Sequence, residues 1–283
     1  MQVIESIRQM QQTACQWHSQ NLKIAAVPTM GCLHDGHLAL VRKASQLADR
    51  VVVSIFVNPT QFAPGEDFDR YPRTWEQDKE LCERHGVDVI FYPSNEEMYP
   101  ADYSTYVEET KLSRPLCGER RPGHFRGVTT VVAKLFNAIL PDIAVFGEKD
   151  AQQACVIKRM VRDLNFPVEI VTHPTVREAD GLAMSSRNRY LSPEQRQQAL
   201  AIFHALSEAK NKYRHGERNP ANLEQFVRNE IEKNSGKVDY VEIRRADDLS
   251  RPGEAIDGPA ILFVAAWFGE ARLIDNIKLD HEP

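Results

Sequence analysis

Two histidines and two glycines stand close together in the segment PTMGCLHDGH, residues 28–37. The segment lies between a short apolar run and a helical pattern, so His34 and His37 fall where a strand passes into a helix. Free N–H groups at a helix N-terminus favour an anion, Gly36 would let a phosphate approach the backbone, and both imidazoles could donate to phosphate oxygens. A nucleotide phosphate site is one interpretation. A tight turn with solvated or structural histidines, or a metal site without an evident third ligand, stays open.

A second segment, SIFVNPTQF, runs from a buried apolar strand directly into Asn58 and Gln61. If the sheet is parallel, these amides lie at the same carboxyl edge as the histidine turn. Neutral amides suit a site that recognises hydroxyl or carboxylate groups without adding charge. The plainer interpretation is an ordinary Asn-Pro turn.

A third strand-to-helix junction occurs in FGEKDAQQ, where Lys149, Asp150 and Gln153 follow an apolar run. Lys149 could neutralise a phosphate as a point charge. The alternative is a capped helix with Asp150 as its N-cap.

The fourth segment, LAMSSRN, places two serines beside an arginine in a predicted loop. The hydroxyls of Ser185 and Ser186 and the guanidinium of Arg187 are donors that suit phosphate. Alone the segment is common among surface loops, but it lies at the predicted domain boundary, where a cleft would form.

The elements that would position these segments alternate along the first part of the chain. Apolar runs predict strands at 23–27, 51–57, 87–92, 142–147 and 167–171, and helical periodicity predicts helices at 38–50, 74–86, 129–140 and 151–164. Strand–helix alternation predicts a doubly wound parallel α/β sheet, here a domain of residues 1–176. Predicted helices at 192–216 and 220–233, followed by three strands, predict a smaller α+β domain of residues 177–283.

Composition narrows the class of protein. The 283 residues carry a formal net charge of -5 with no basic footprint, which argues against nucleic acid as a partner, and RRPGHFR is interpreted as a local anion contact. The five cysteines include no C-x-x-C pair, so we expect a reducing, cytoplasmic location. We expect neither a secretory leader nor a membrane span, since no apolar run approaches the ~20 residues that spanning needs.

Together the segments resemble the pantothenate synthetase (pantoate–β-alanine ligase) family. PTMGCLHDGH, FVNPTQF, RPGHFRGV, FGEKDAQQ, MSSRN and ARLIDN match that family's blocks in order, over nearly the whole chain. The H-x-G-H element alone is shared with the wider nucleotidyltransferase superfamily, including class I aminoacyl-tRNA synthetases. The resemblance implies a Rossmann-like domain with a smaller C-terminal lid domain, and a homodimer. It also implies ATP with Mg²⁺, condensation of pantoate with β-alanine through pantoyl adenylate, and release of AMP and pyrophosphate.

The resemblance also implies roles for individual residues. His37, the customary proton donor, is expected to act in catalysis with His34 and Lys149, and Gln61 and Gln153 to bind pantoate beside Asn58. The expected nucleotide-binding positions are Met30, His34, Gly36, His37, Gly147, Lys149, Asp150, Val176, Met184, Ser185, Ser186 and Arg187. Two positions depart from the family: Thr60 stands where Met is frequent, and Ala151 where an aromatic residue is common.

Other functions stay open at this point. One is a nucleotidylyltransferase that adenylylates a phosphorylated acceptor, and another is a nucleotide-binding regulator without catalysis. Charging of tRNA is disfavoured by the acidic balance and by the absence of an anticodon-binding appendage. The segment APGEDFDRYPRT, residues 63–74, is a candidate lid that would exclude water from a labile adenylate. The forty acidic residues show no diagnostic spacing for Mg²⁺ ligands.

Overall fold

The fold is that of a computed structural model, which describes residues 1–280; residues 281–283, at the end of the predicted C-terminal domain, lie outside the described residues. The chain divides into two compact units. The first unit consists of Met1–Glu148 and Gln152–Pro174, and the second consists of Lys149–Ala151 and the chain from Thr175 onward. Each unit has its own sheet.

The sheet of the first unit contains, within the described residues, six parallel strands in the order β1-β4-β3-β2-β5-β6. They are β1 (Gln2–Ile4), β2 (Ile24–Thr29), β3 (Arg50–Ile55), β4 (Val89–Phe91), β5 (Ile143–Gly147) and β6 (Glu169–His173). Val27, Val53 and Val145 are fully buried, as expected of strands that are covered on both faces. The strand order reverses between β2 and β5, and ligands of open α/β sheets bind at such a switch point. The predicted doubly wound sheet is confirmed.

Helices alternate with these strands. They are α1 (Ile7–Ser19), α2 (Asp35–Ser45), α3 (Trp75–Arg84), α4 (Asn95–Met98), α5 (Cys117–Arg120), α6 (His124–Ile139) and α7 (Ala151–Asp163). The order strand, turn, helix repeats after β2 and β5, which brings the predicted histidine segment and the start of the FGEKDAQQ segment to strand ends.

Some elements differ from the prediction. The sequence pattern does not indicate β1 or α1, because β1 has three residues and α1 is a polar helix in which only Met10 and Ala14 are buried. Helix α6 begins at His124 and not at residue 129, after Gly123 in the left-handed conformation with φ of 82°. The RPGHFRGV segment is therefore the beginning of a helix.

The second unit has, in its described part, a three-stranded antiparallel sheet formed by β7 (Lys237–Arg245), β8 (Ala260–Phe268) and β9 (Ala271–Leu279). Two helices, α8 (Pro193–Arg214) and α9 (Pro220–Lys233), pack with it around Leu206, Leu223 and Leu262. Ser192 is the N-cap that precedes α8, and its hydroxyl accepts from the Gln195 N–H at 3.2 Å. The predicted smaller α+β fold is confirmed.

Candidate active site

The histidine turn leads from β2 into α2. Gly31 and Cys32 have positive φ values of 79° and 51°, and His34 is the N-cap of α2. The rings of His34 and His37 lie 4.1 Å apart between centroids, tilted by 33°. The His34 N–H donates to Nδ1 of His37 at 3.4 Å. Because a backbone N–H can only donate, Nδ1 is the unprotonated nitrogen, and a neutral His37 ring carries its proton on Nε2.

A buried carboxylate holds this turn. Asp78, in α3, is 1% exposed. Its Oδ2 accepts from the Cys32 N–H and its Oδ1 from the Leu33 N–H, both at 2.8 Å, and Oδ1 also accepts from the Thr74 hydroxyl at 3.1 Å. These three bonds offset the cost of removing a carboxylate from water. Asp78 thereby fixes the backbone that carries the histidines.

A second buried polar side chain holds the turn that follows β3. Asn58 is 1% exposed. Its Nδ2 donates to Oε1 of Gln61 and to the Gly127 carbonyl, both at 3.1 Å. Its Oδ1 accepts from the Thr60 N–H at 3.3 Å and from the hydroxyls of Thr60 and Tyr99, both at 2.9 Å. Both ends of the Asn58 amide are thus hydrogen-bonded within the chain, and its contact with a substrate stays a prediction.

Gln61 is half-buried, and both its backbone carbonyl and its side-chain amide have partners within the chain. Its carbonyl lies 2.8 Å from Nδ1 of His124 and accepts from Nη2 of Arg121 at 3.4 Å. Its Nε2 lies 2.9 Å from Sδ of Met30, which lies in the histidine turn between β2 and α2. Met30 and Gln61, predicted from separate segments, are therefore in contact.

The candidate lid, residues 63–74, forms an ion pair with Arg121, which lies shortly before α6. Arg121 forms two hydrogen bonds with Glu66, from Nε at 2.7 Å and from Nη2 at 2.6 Å. Burial raises the pKa of Glu66, but the hydrogen bond and charge of Arg121 outweigh it and hold that pKa below its ordinary value. The sequence predicts that the RRPGHFR segment contacts an anion. For Arg121, that anion is the carboxylate of Glu66 in the same chain.

The adjacent glutamines of α7 have different surroundings. Gln152 is 5% exposed, accepts from the Cys117 N–H at 3.1 Å and donates to the carbonyls of Leu112 and Pro115. Gln153 is half-buried, and the described residues offer its side chain no hydrogen bond. Of the two glutamines, Gln153 is thus the one whose amide has no hydrogen-bond partner among the described residues, and its role in ligand binding stays a prediction.

A cavity of about 530 Å³ lies beside these turns in the first unit. Its lining includes Met30 and Gly31 from the histidine turn, Phe56 after β3, and Phe68 from the candidate lid. The histidines and Gln61 do not line it. The cavity therefore borders the histidine turn and the segment after β3, without being lined by the predicted catalytic side chains.

In the second unit, Lys149 follows β5 in a 3-10 turn, Glu148–Asp150. The Asn276 side chain donates to the Lys149 carbonyl at 3.0 Å, while Nζ of Lys149 lies 4.0 Å from Asp150 Oδ2. The Lys149 side chain is 19% exposed. Asn276 fixes the backbone and leaves the ammonium group with only a weak internal partner, so the geometry suits a lysine that meets an external anion.

The MSSRN segment is also held within the second unit. Arg177 binds Asp275 through Nη1 at 2.6 Å and Nη2 at 3.1 Å, and the Met184 N–H donates to the Val176 carbonyl at 3.0 Å. Ser185 begins the 3-10 turn Ser186–Tyr190. The ARLIDN segment, to which the sequence assigns no role, therefore supplies through Asp275 an anchor for the loop before the serines.

The structure groups the predicted residues by unit. Met30, His34, Gly36, His37, Asn58, Gln61, Gly147 and Gln153 lie in the first unit, whereas Lys149, Asp150, Val176, Met184, Ser185, Ser186 and Arg187 lie in the second. The supporting residues Asp78 and Tyr99 are absent from the sequence prediction, whereas Arg121 and Asp275 fall in the segments RRPGHFR and ARLIDN without individual roles. Asp78 did leave a signal, because it falls at helical spacing between Trp75 and Cys82, on the buried face of α3.

The arrangement of the side chains and the character of the helices bear on metal binding and on membranes. Across residues 1–280, no group of three or more His, Cys, Asp or Glu side chains has the arrangement of a metal site. None of the helices in that part of the chain combines the length and apolar character that crossing a bilayer requires.

A family model and individual relatives place the chain in the same protein family. The family model described as pantoate-beta-alanine ligase matches residues 2–278. The pantothenate synthetase of Thermotoga petrophila is 57% identical over 280 residues, covering 99% of this chain and 100% of the relative; that of Moorella thermoacetica is 54% identical over 281 residues, covering 99% of each.

Two solved structures agree with these relatives. The crystal structure of pantothenate synthetase from Thermus thermophilus has a TM-score of 0.91 at 44% identity and covers 99% of both chains. The pantoate-beta-alanine ligase of Francisella tularensis, solved in complex with beta-gamma ATP and beta-alanine, has a TM-score of 0.83 at 34% identity and covers 100% of this chain and 99% of its own.

Proposed function

The chain belongs to the pantoate–β-alanine ligase family, a family of enzymes that form pantothenate from pantoate and β-alanine, and we propose that it does so in two ATP-dependent steps. In the first step the pantoate carboxylate attacks the α-phosphorus of ATP, giving pantoyl adenylate and pyrophosphate. In the second step the β-alanine amine attacks the acyl carbon, giving pantothenate, AMP and a proton. The solved Francisella tularensis relative, with its ATP-type ligand and β-alanine, supports this choice of substrates.

The observation that carries the proposal is the histidine turn at the switch point of the sheet. The turn follows β2 and starts α2, so the helix N-terminus and two imidazoles belong to one short segment. Such a site suits the phosphates of ATP. With His37 Nδ1 occupied by the His34 N–H, its Nε2–H is the group that would donate to a phosphate oxygen. We assign catalysis to His37, His34 and Lys149.

Pantoate binding is proposed for Gln61 and Gln153. Both are half-buried, and each has an amide end that can reach a ligand. Attack of one anion on another meets charge repulsion, so positioning and electrostatic stabilisation supply most of the rate. No protein nucleophile is required, and we expect no covalent enzyme intermediate.

Nucleotide binding is proposed for a further set of residues. These are Met30, Gly36, Gly147, Asp150, Val176, Met184, Ser185, Ser186 and Arg187. We propose that residues 1–176 form the ATP- and pantoate-binding domain and that residues 177–283 form the lid domain. We also propose a homodimer and a cytoplasmic location; the cysteine pattern supports the latter.

Mg²⁺ is proposed to enter with the nucleotide. Asp78, the buried carboxylate nearest the histidine turn, has both oxygens engaged by backbone N–H groups. Residues 1–280 contain no cluster of three candidate side chains for a metal ion. This donor set fits an ion that is held mainly by phosphate oxygens, as Mg²⁺ often is in nucleotide sites. Bound there, it would offset the charge of the departing pyrophosphate.

A pyrophosphate-exchange assay tests the proposal. Labelled pyrophosphate should enter ATP when pantoate is present and β-alanine absent, because the first step is then reversible. Adding β-alanine should convert exchange into net release of AMP and pantothenate. Exchange that does not require pantoate, or AMP release without β-alanine consumption, would contradict the two-step reaction. Exchange that requires a phosphorylated acceptor would favour a nucleotidylyltransferase.

A further inference from the structure

We infer that Asn58, Thr60 and Tyr99 form a positioning network that fixes which end of the Gln61 side-chain amide faces the substrate. The network makes Gln61 a hydrogen-bond donor to a ligand oxygen. The inference rests on the proposed function for the identity of that ligand, a hydroxy acid. Its basis in the geometry is independent of the ligand.

The orientation of the Asn58 amide is set by two backbone groups. The Thr60 N–H, 3.3 Å away, can only donate and must face the Asn58 oxygen. The Gly127 carbonyl, 3.1 Å away, can only accept and must face the Asn58 nitrogen. Exchanging Oδ1 and Nδ2 would oppose donor to donor and acceptor to acceptor, so the amide has one satisfied orientation.

This orientation is passed on to Gln61. The second N–H of Asn58 points to the Gln61 amide at 3.1 Å, and only an oxygen can accept it. Oε1 of Gln61 therefore faces Asn58, and Nε2 is the opposite end, 2.9 Å from Sδ of Met30. A thioether is a weak acceptor, so a carboxylate or hydroxyl oxygen of a ligand can replace it.

Thr60 and Tyr99 strengthen the network from its other side. Both hydroxyls lie 2.9 Å from Oδ1 of Asn58. Burial, as the largest cause, raises the pKa of Tyr99 to about 12, so the phenol stays protonated and remains a donor over the working pH range. Two added donors on Oδ1 oppose rotation of the amide. Thr60, which departs from the family's frequent Met, thus has a defined contact in this chain.

The kinetic test uses variants that remove one hydroxyl each, Thr60→Val and Tyr99→Phe, and their combination. We expect the KM for pantoate to rise about 3–5-fold in each single variant and about 10-fold or more in the double variant, the size expected from losing one or two ordinary hydrogen bonds. The KM for ATP should stay within 2-fold of the wild type. Thr60→Ser, which keeps the hydroxyl, should retain the wild-type KM for pantoate.

The matched control is Tyr103→Phe. Tyr103 packs edge-on against Tyr99 at 5.0 Å but has no hydrogen bond to Asn58 among the described contacts. Its variant should leave both KM values unchanged. Equal increases in both KM values for the network variants, or none in the double variant, would overturn the inference.

A ligand-free measurement separates this inference from the proposed function. In the full chain with labelled methionine methyl groups, the Gln61 side-chain amide protons should give nuclear Overhauser effects to the Met30 methyl group. These effects should weaken in Thr60→Val/Tyr99→Phe. If they are absent in the wild type, the assigned orientation is wrong. If they are present while pantoate-dependent exchange is absent, the orientation stands and the proposed substrate is wrong.

Discussion

The histidine turn follows β2, and the turn Pro59–Gln61, here called the Gln61 turn, follows the neighbouring strand β3 in the same unit. Different types of buried side chain hold the two turns in place. Asp78 holds the first through a carboxylate that only accepts, and its oxygens bind two consecutive backbone N–H groups. Asn58 holds the second through an amide that both donates and accepts. Both side chains are 1% exposed. The carboxylate therefore fixes a backbone, whereas the amide fixes a backbone and also orients a neighbouring side chain.

The difference suits what each turn carries. The first turn carries His37, whose action depends on where its ring is placed. The second carries Gln61, whose action depends also on which end of its amide faces outward. An acceptor-only group cannot set that orientation through a donated N–H, while a group that does both can.

The largest expected effect on stability comes from replacing each supporting side chain by the type found at the other turn, in Asp78→Asn and Asn58→Asp. In Asp78→Asn the new NH₂ group faces the N–H of Cys32 or Leu33, so one buried backbone donor loses its partner, and we expect a loss of about 3 kcal/mol in the free energy of unfolding. In Asn58→Asp a buried, unpaired charge should cost about 3–5 kcal/mol. Urea unfolding at pH 7 measures both.

The Asn58→Asp exchange should also depend on pH. In Asn58→Asp, burial favours the protonated acid, so the folded-state pKa lies above the unfolded value of about 3.9. The destabilisation should therefore shrink as pH falls toward that unfolded value. If both variants remained within about 0.5 kcal/mol of the wild type, the range of an ordinary surface substitution, the two turns would not be held as described.

Removing the His37 side chain and the Gln61 side chain in separate variants should distinguish an effect on catalysis from an effect on pantoate binding. His37→Ala should lower kcat for pyrophosphate exchange by about 10²–10³, the usual effect of losing one positioned electrostatic donor. Gln61→Ala should instead act mainly through the KM for pantoate. Because each side chain also accepts an internal hydrogen bond, from the His34 N–H or from Asn58 Nδ2, the unfolding midpoint of each variant should be measured beside its kinetics. A near-normal kcat in His37→Ala would remove the proposed role of that ring.

Gly127→Ala tests how closely α6 must approach the Gln61 turn. A Cβ at Gly127 would lie 2.3 Å from the Thr60 carbonyl oxygen and 2.7 Å from Cα of Gln61. The turn must move to relieve this overlap, at an expected cost of about 1–3 kcal/mol with an increased KM for pantoate. Gly258→Ala, where a Cβ would meet nothing within 4 Å, is the control and should change neither quantity. Unchanged stability and KM in Gly127→Ala would show that the contact is not required.

These tests concern features that the sequence reveals unevenly. The apolar runs before the histidine and FGEKDAQQ segments predict strands that end within two residues of the ends of β2 and β5, because strands buried on both faces have a continuous apolar pattern. Gln61 and Gln153 could be selected as ligand residues through the family resemblance. The contrast between Gln152 and Gln153 is not visible in the sequence, since it depends on carbonyl groups near residues 112 and 115.

The supporting residues were harder to predict because their partners are distant in the chain. Tyr99 reaches Asn58 across 41 positions and Arg177 reaches Asp275 across 98. Only Asp78 had a local signal, as a carboxylate on the buried face of α3. A charged residue at a helix position reserved for apolar side chains is therefore a useful indication of a buried backbone contact.

The smallest expected effect concerns the ion pair between Glu66 and Arg121, which holds the candidate lid next to the Gln61 turn. Arg121 holds the pKa of Glu66 below its ordinary value despite burial, so the pair stabilises the fold above the unfolded pKa of about 4.3 and loses that contribution as pH falls through the lowered folded value. Glu66→Gln should cost about 1 kcal/mol at pH 7. It should also speed trypsin cleavage after Arg70 or Arg73. The matched variant Glu76→Gln, at an exposed site in α3, should do neither; equal cleavage rates in both variants would mean that the ion pair does not restrain residues 63–74.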